Sequence, residues 1–485
     1  MQPSLVGLVI CGVLLLVGRT LGAPLLVPLV ASLAFGSTAL GTLPALGGAS
    51  PLIYTFFVIL LLLLITLRVE LWRELTAVFV QHGAPWLVVL LTAYVVGGAL
   101  LFPRMFADWT SVFVPAREIG LVLEVPLQPV AGNITQTAYF TFGAMAFLAL
   151  SVVLLRIEKL EGLRRGFFLW AILIAAGGAI DLAGKLAGAG DVLEFLRTAT
   201  YAMATEAEHA GFFRIAGLFS EASSFAISAL SSLAFTYTYW RATGSRSAAV
   251  LALTLVTLLI LSTSTTAYVG FAVLCLAVFV GIVHRLLRGQ VLRTDLILAV
   301  VVLTLFAIVL ALLAANRHAL EGFEELLRLT IFEKSNSASG VERSHWNMRS
   351  LESFLDTFTL GVGLGSSRAS NWIIAVLSQL GLVGAALLAV LVLVLAGGAR
   401  FGKGRLEPHE LQLVALHDSV RAAALTALMA VTIVGGAADP GLLFFISLAT
   451  VIACRAALAV RSGASPLEVP VHVSSSAQRA MGNWR

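Results

Sequence analysis

Apolar residues run along this chain in long stretches, separated by short clusters of Arg, Lys, Glu, Gly and Pro. A helix needs roughly 17–25 apolar residues to cross a bilayer. On that measure spans are predicted near 4–18, 22–40, 51–68, 86–103, 138–155, 167–185, 217–240, 247–262, 265–284, 294–315, 372–397, 420–437 and 441–460. The stretch 247–284 is too long for one span, and the hydroxyl run Ser262-Thr263-Ser264-Thr265-Thr266 divides it. The expected fold is all-α: a polytopic transmembrane bundle of about 12–14 spans, forming one integral membrane domain over 1–461. The tail 462–485, poor in apolar residues and containing Ser474-Ser475-Ser476, is predicted to be disordered.

Composition supports the membrane assignment. Of 485 residues, 59% are hydrophobic and 12% charged, against roughly 45–50% and 25% in soluble domains. So few charges cannot dress a water-facing surface, which excludes a soluble enzyme with a single anchor. Cys11, Cys275 and Cys454 lie far apart within apolar runs, so neither a disulfide framework nor a CxxC metal site is available.

The net charge of +5 reflects sidedness. Alternate loops hold 20 of the 31 Lys and Arg but nine of the 26 acids, a balance of +11 on one side and −6 on the other. By the positive-inside rule the first side is cytoplasmic. The C-terminus is then inside, and three long segments, about 104–137, 186–216 and 316–371, are extracytoplasmic. No basic run with interleaved aromatics suggests nucleic acid as a partner.

Charge at the mouth of a span is costly and marks candidate function. Glu221 opens the seventh span, and on a helix Arg214, Glu221, Ser224, Ser228 and Ser231 would align as one polar stripe. The alternative is a structural acid favoured by the helix dipole or paired with Arg214. Asp181 and Lys185 add charge near the end of the sixth span. In the last long loop, Ser339-Gly340-Val341-Glu342 reads as a capping box. The helix it starts has an apolar edge of Leu351, Phe354, Leu355 and Phe358, opposite His345, Arg349, Glu352 and Asp356. Arg343, His345 and Arg349 form a cationic group suited to phosphate oxygens, unless Glu342 and Glu352 neutralise it. Beyond lies Gly361-Val362-Gly363-Leu364-Gly365, then Arg368 and Asn371. Such a turn is expected to leave backbone N–H groups open to an anion. The Ser262–Thr266 run is read as helix-end capping or a hydroxyl rim, Asp439 as a turn or cap residue more than a catalytic base, and Asn133 as part of an ordered turn into the fifth span.

Three of these elements resemble one family. Gly217-Leu218-Phe219-Ser220-Glu221-Ala222-Ser223-Ser224-Phe225-Ala226 is similar to the G-x-F-x-E-x-S-x-F-A element of bacterial O-antigen and exopolysaccharide polymerases. Leu261 to Tyr268 resembles the Ser/Thr-rich start of a later span in those proteins. The late loop ending in Gly361–Gly365, followed by Gln379-Leu380-Gly381-Leu382-Val383-Gly384, resembles that of the O-antigen ligase/polymerase superfamily.

The resemblance covers roughly 120–450 and implies a C-type glycosyltransferase architecture at the periplasmic face of the bacterial inner membrane. It implies undecaprenyl-pyrophosphate-linked oligosaccharide as substrate, membrane lipids and a chain-length regulator protein as partners, and no metal or other cofactor. Many ligases of the superfamily carry a His-Asn pair before the Gly-containing helix. Here Ser370-Asn371 stands in that place, which favours a polymerase over a ligase. Without a metal, arginines must stabilise the departing diphosphate. Arg214, Arg343, Arg349 and Arg368 are the candidates, with Gly363, Gly365 and Asn371 as further substrate-binding positions. Glu221 or His345 is the expected general base. The rival from another class is a transporter, which predicts charge deep in several spans and broken helices.

Overall fold

In the computed structural model the described residues are 2–44, 48–81, 83–116, 121–201, 203, 205, 208–209, 212–289, 296–297, 338–399 and 407–461. They are mostly helical. In chain order the helices are α1 (Leu5–Thr20), α2 (Leu26–Ala31), α3 (Tyr54–Thr66), α4 (Val69–Gln81), α5 (Gly83–Met105), α6 (Ala131–Val153), α7 (Glu158–Leu186), α8 (Ala222–Thr243), α9 (Arg246–Leu261), α10 (Thr265–Leu287), α11 (Ala338–Asp356), α12 (Trp372–Ala396), α13 (Pro408–Val434) and α14 (Leu442–Arg461). Three small antiparallel pairs accompany them: β1 (Gln2–Pro3) with β2 (Gly41–Thr42), β3 (Ser111–Ala116) with β4 (Leu121–Pro126), and β5 (Glu208–His209) with β6 (Phe212–Phe213).

Seven of the described helices are long and apolar enough to cross a membrane. An eighth span exists if α3 and α4, bent by 100° at their junction, count as one. The protein is therefore a multi-pass membrane protein, with fewer straight spans among the described residues than the thirteen apolar runs predict. The differences have physical reasons. The run 22–40 is no single helix: α2 has six residues and passes into a 3-10 turn at Ser32–Ala34. It is nevertheless buried and packs on α7, where Gly162 and Gly166 admit Ala23, Leu26 and Val30 at close range. Helices α1 and α9 have 16 residues each. The 22-residue α8 carries Ser and Thr at eight positions, which lowers its mean hydropathy below that of the seven. The expected span at 294–315 and the tail 462–485 lie outside the described residues.

One continuous core ties the bundle together, with Phe57, Phe140, Phe147, Phe167, Trp170, Phe225, Phe235 and Phe445 fully buried. Helix α12 is discontinuous. Gly381 has φ 65° and ψ −173° within it, because the 359–363 segment crosses at that point. A Cβ there would lie 2.2 Å from the Leu360 carbonyl oxygen. The crossing chain is hydrogen-bonded in: Val362 N donates to Ser378 O, Gly363 N to Gln379 O and Leu382 N to Thr359 O.

Helix α11 begins at Ala338, which places Ser339 inside its first turn rather than at the cap. Its Ser350, Ser353 and Thr357 face is buried, while Met348, Leu355 and Phe358 are exposed. The pairing of β3 with β4 in the 104–137 segment is a feature the apolar pattern did not indicate. Together α11 and this hairpin cover the end of the bundle where α6, α8 and α12 begin.

Candidate functional site

The segment Arg214–Ser220 approaches α8 as non-helical chain, so Arg214 does not share a helical stripe with Glu221. Glu221 is the N-cap residue of α8 in extended conformation, and its carboxylate accepts from the Ser223 hydroxyl. What fixes the segment is a charged network from α7 and the loop after it. Asp181, fully buried, accepts from the backbone N–H groups of Ala216 at 2.7 Å and Gly217 at 3.0 Å. Lys185 donates to Asp181 at 3.1 Å, to Thr205 O at 2.9 Å and to Arg214 O at 2.6 Å. Arg197 donates to Gly217 O and to Asp191. Gly217 has φ 56° and sits against Phe225 and Gly178 N, where a side chain would be both strained and crowded.

Four sequence-predicted residues meet electrostatically. Burial lowers the Arg214 pKa from its ordinary value, the Glu221 carboxylate opposes this, and the charge of Arg343 adds to it. Arg368 shows the same pattern: burial lowers it, Glu221 opposes, Arg343 adds, and Glu342 opposes. Arg214, Glu221, Arg343 and Arg368, from three separate parts of the chain, thus share one field. No direct ion pair joins Glu221 to Arg214 or Arg368 among the described residues, and Arg214 Nε is buried there without a hydrogen-bond partner.

Arg368 connects this cluster to a cavity of about 430 Å³. Its backbone N donates to Phe113 O at 2.8 Å, and its guanidinium lies 5.3 Å from the centroid of Trp346 on α11. The cavity is also lined by Thr135 and Gln136 of α6, Gly365, Ser367, Gln379 and Gly436. The Ser367 hydroxyl oxygen is buried without a partner among the described residues. The wall is held by two amides. Gln379 accepts from Gly365 N at 3.0 Å and donates to Ser367 O at 3.0 Å and Gly436 O at 3.4 Å. Asn133 donates to Leu364 O at 2.8 Å and Ser366 Oγ at 2.7 Å.

The other expected residues are placed differently. The N–H groups of Gly363 and Gly365 are not open to an anion, because both donate to Gln379. These glycines, at φ 88° and 81°, instead admit Gly98 O and Gly132 O to within 2.8 and 2.3 Å of where a Cβ would stand. Asn371 caps α12, accepting from Ile373 N and Ile374 N at 3.0 and 3.2 Å. Arg349 braces α11 to the hairpin, 3.1 Å from Glu124 and 2.6 Å from Glu352. His345 is exposed and stands edge-on to Phe113, ring centroids 5.4 Å apart.

In the hydroxyl run, Thr263 at φ 46° donates to Phe213 O at 3.3 Å and Ser264 is the N-cap of α10. Sequence reasoning missed Gln379 and Asn133 as determinants of the cavity wall. The signal for Gln379 was present, as a polar residue inside an apolar span that requires partners.

This arrangement places positive charge beside a cavity whose wall carries hydroxyl and amide groups. Compared with protein-family models, curated proteins and solved structures, the chain matches none.

Proposed function

We propose that the chain is a glycosyltransferase that polymerises lipid-linked glycan. It would move chains carried on undecaprenyl pyrophosphate onto the next lipid-linked repeat unit at the periplasmic face of the bacterial inner membrane. The observation that carries this reading is that Arg368, which lines the cavity, shares the electrostatic field of Glu221 and Arg343 with Arg214. Three guanidiniums against the carboxylates of Glu221 and Glu342 leave an excess positive charge at the site, which suits a diphosphate more than a neutral ligand. The cavity walls offer hydroxyl and amide groups, which suit sugar.

The chemistry is substitution at an anomeric carbon. The bond from that carbon to the diphosphate oxygen breaks, and the diphosphate departs with the electron pair. Charge grows on its oxygens as it leaves, so arginines already in place stabilise the transition state more than the ground state. Arg368 has the most direct access, as it lines the cavity. Glu221 keeps the guanidiniums from repelling one another apart when the site is empty.

Deleting the gene in its host and sizing the surface glycan tests the reading. Single repeats on lipid A support a polymerase. Long undecaprenyl-linked chains missing from lipid A support a ligase. One observation favours a transporter of lipid-linked oligosaccharide, the discontinuous helix at Gly381 beside the cavity. Its loss would leave undecaprenyl-linked single repeats on the cytoplasmic face.

A further inference from the structure

The surface of α11 is sorted by chemistry in a way that water does not explain. A helix at the surface of a soluble protein turns its large apolar side chains inward. In α11 the hydroxyl side chains Ser350, Ser353 and Thr357 are buried, whereas Met348, Leu355 and Phe358 are 58%, 66% and 69% exposed. Val341, Met348 and Leu355 recur every seven residues, and Leu351 and Phe358 stand three residues after the last two, so that all five share one edge. His345, Glu352 and Asp356, also exposed, lie on a separate flank. The helix thus has three sides: hydroxyls toward the protein, charges on one exposed side and hydrocarbon on the other.

The roll of the helix is fixed, so the hydrocarbon side cannot turn inward. The hydroxyl of Thr110 donates to Asp356 at 2.6 Å, and Arg349 lies 3.1 Å from Glu124 of the hairpin. Phe113 of β3 packs against the rings of both His345 and Trp346. At the end of the helix Phe358 and Thr359 have φ 51° and 63°, a left-handed backbone that favours glycine. A phenylalanine is nevertheless held there with its ring outward.

The edge does not stop at α11. Phe358 meets Trp109 and Phe106, with ring centroids 6.2 and 6.4 Å away, and Trp109 is 61% exposed. Phe106 follows directly on α5, a helix long and apolar enough to cross the membrane, whose last two turns expose Leu100, Leu101 and Met105. The hydrocarbon edge of α11 therefore continues the lipid-facing surface of a span. The join is made by a tryptophan at the span's end, where indole is favoured by the membrane–water interface.

We infer that α11 is a monotopic membrane helix whose Met348, Leu355 and Phe358 edge is seated among the phospholipid acyl chains of the leaflet at that end of the bundle. Amphipathic helices seated in this way bury their apolar side about 5–10 Å into the boundary between headgroups and acyl chains. Trp346 stands two residues from Met348, hence on the far side of the helix, and the Arg368 guanidinium lies 5.3 Å from its ring centroid. A helix with its side chains is about 10–12 Å across. The seating thereby holds Arg368 and the cavity it lines at the level of the headgroups, where lipid-borne phosphates lie, whatever chemistry the cavity performs.

Two measurements on the full-length protein, in vesicles of phosphatidylethanolamine and phosphatidylglycerol, test the seating. The first uses the wild type and a phospholipid with a diazirine in its acyl chain. After irradiation, crosslinks mapped by mass spectrometry are expected within 348–358 and, as the reference for lipid-facing surface, at Leu100, Leu101 and Met105. Crosslinks on α5 with none on 348–358 overturn the inference.

The second is EPR power saturation of nitroxides on Met348→Cys, Leu355→Cys and Glu352→Cys, each in a Cys275→Ser background because the other two native cysteines are buried. Labels at 348 and 355 are expected to collide several-fold more with oxygen, which concentrates in lipid, than with a nickel chelate, which stays in water. The label at 352 is expected to show the reverse preference. Collisions dominated by nickel at 348 and 355 place the edge in water, and weak collisions with both reagents place it against protein, such as the same edge of a second copy. Either result overturns the membrane seating.

Discussion

The ammonium of Lys185 donates to the backbone carbonyl of Arg214 across 2.6 Å. A charge buried in one helix thereby fixes the point from which the first arginine of the cluster projects. The same ammonium is 3.1 Å from Asp181, which in turn holds the N–H groups of Ala216 and Gly217 in that segment. The charges near the end of α7 therefore position the site rather than forming it.

Removing Asp181 would leave Lys185 and Arg197 buried without their shared counter-ion. Asp181→Ala is expected to cost about 3–5 kcal/mol, read as a fall in thermal unfolding temperature in detergent. Arg156→Ala, which removes an exposed pair with Glu74, is expected to cost less than about 1 kcal/mol. Equal effects would show that burial of the network contributes nothing.

The break in α12 gives a second expectation. Gly381→Ala forces a side chain into a positive-φ position against the Leu360 carbonyl, a strain of about 1–3 kcal/mol before the clash is counted. Gly12→Ala, in regular α1 with open space around the Cβ, should leave stability unchanged or slightly raised. Thermal unfolding of the two variants side by side checks this. A tolerant position 381 would mean that the chain crossing is not required.

Acid should loosen the loop that carries Arg197. Burial pushes the Asp191 carboxyl up, but hydrogen bonds from Arg197, Thr205 and Leu193 N outweigh it and hold the pKa below its ordinary value. A lowered carboxylate pKa gives stability that is present above the unfolded value, near about 4, and is lost as pH falls through the folded value. Hydrogen exchange in 191–201 is therefore expected to accelerate below about pH 4. In Asp191→Asn it should already be fast at neutral pH, with little further change on acidification.

Much of the bundle was legible because lipid imposes its rule on every residue of a span, and so the long apolar runs map onto helices. The breaks were not legible. Gly381 looks like any small residue in an apolar helix, and only the segment 359–363, brought in from before the helix, gives its positive φ a purpose.

The site was legible where charge was out of place. Glu221, Arg214 and Arg368 were found because they interrupt apolar sequence, yet their shared field depends on a fold that brings residues 214, 343 and 368 together. Arg349 looked equivalent to Arg343 on the loop helix. Its partner Glu124 comes from a hairpin more than two hundred residues earlier, and nothing in the local spacing reveals it. Asp439 reads as a turn residue, and its Oδ1 accepts from Gly441 N at 2.9 Å in that turn.

The central claim is that the cluster joined to the cavity through Arg368 stabilises a departing diphosphate. The most direct measurement is elongation of undecaprenyl-pyrophosphate oligosaccharide by the purified protein, resolved as a product ladder, for wild type, Arg368→Ala and Arg368→Lys. The wild type should build a ladder, Arg368→Ala should lose at least about 100-fold with unchanged thermal unfolding, and Arg368→Lys should recover only part of the loss. A ladder of wild-type length and rate from folded Arg368→Ala would contradict the account.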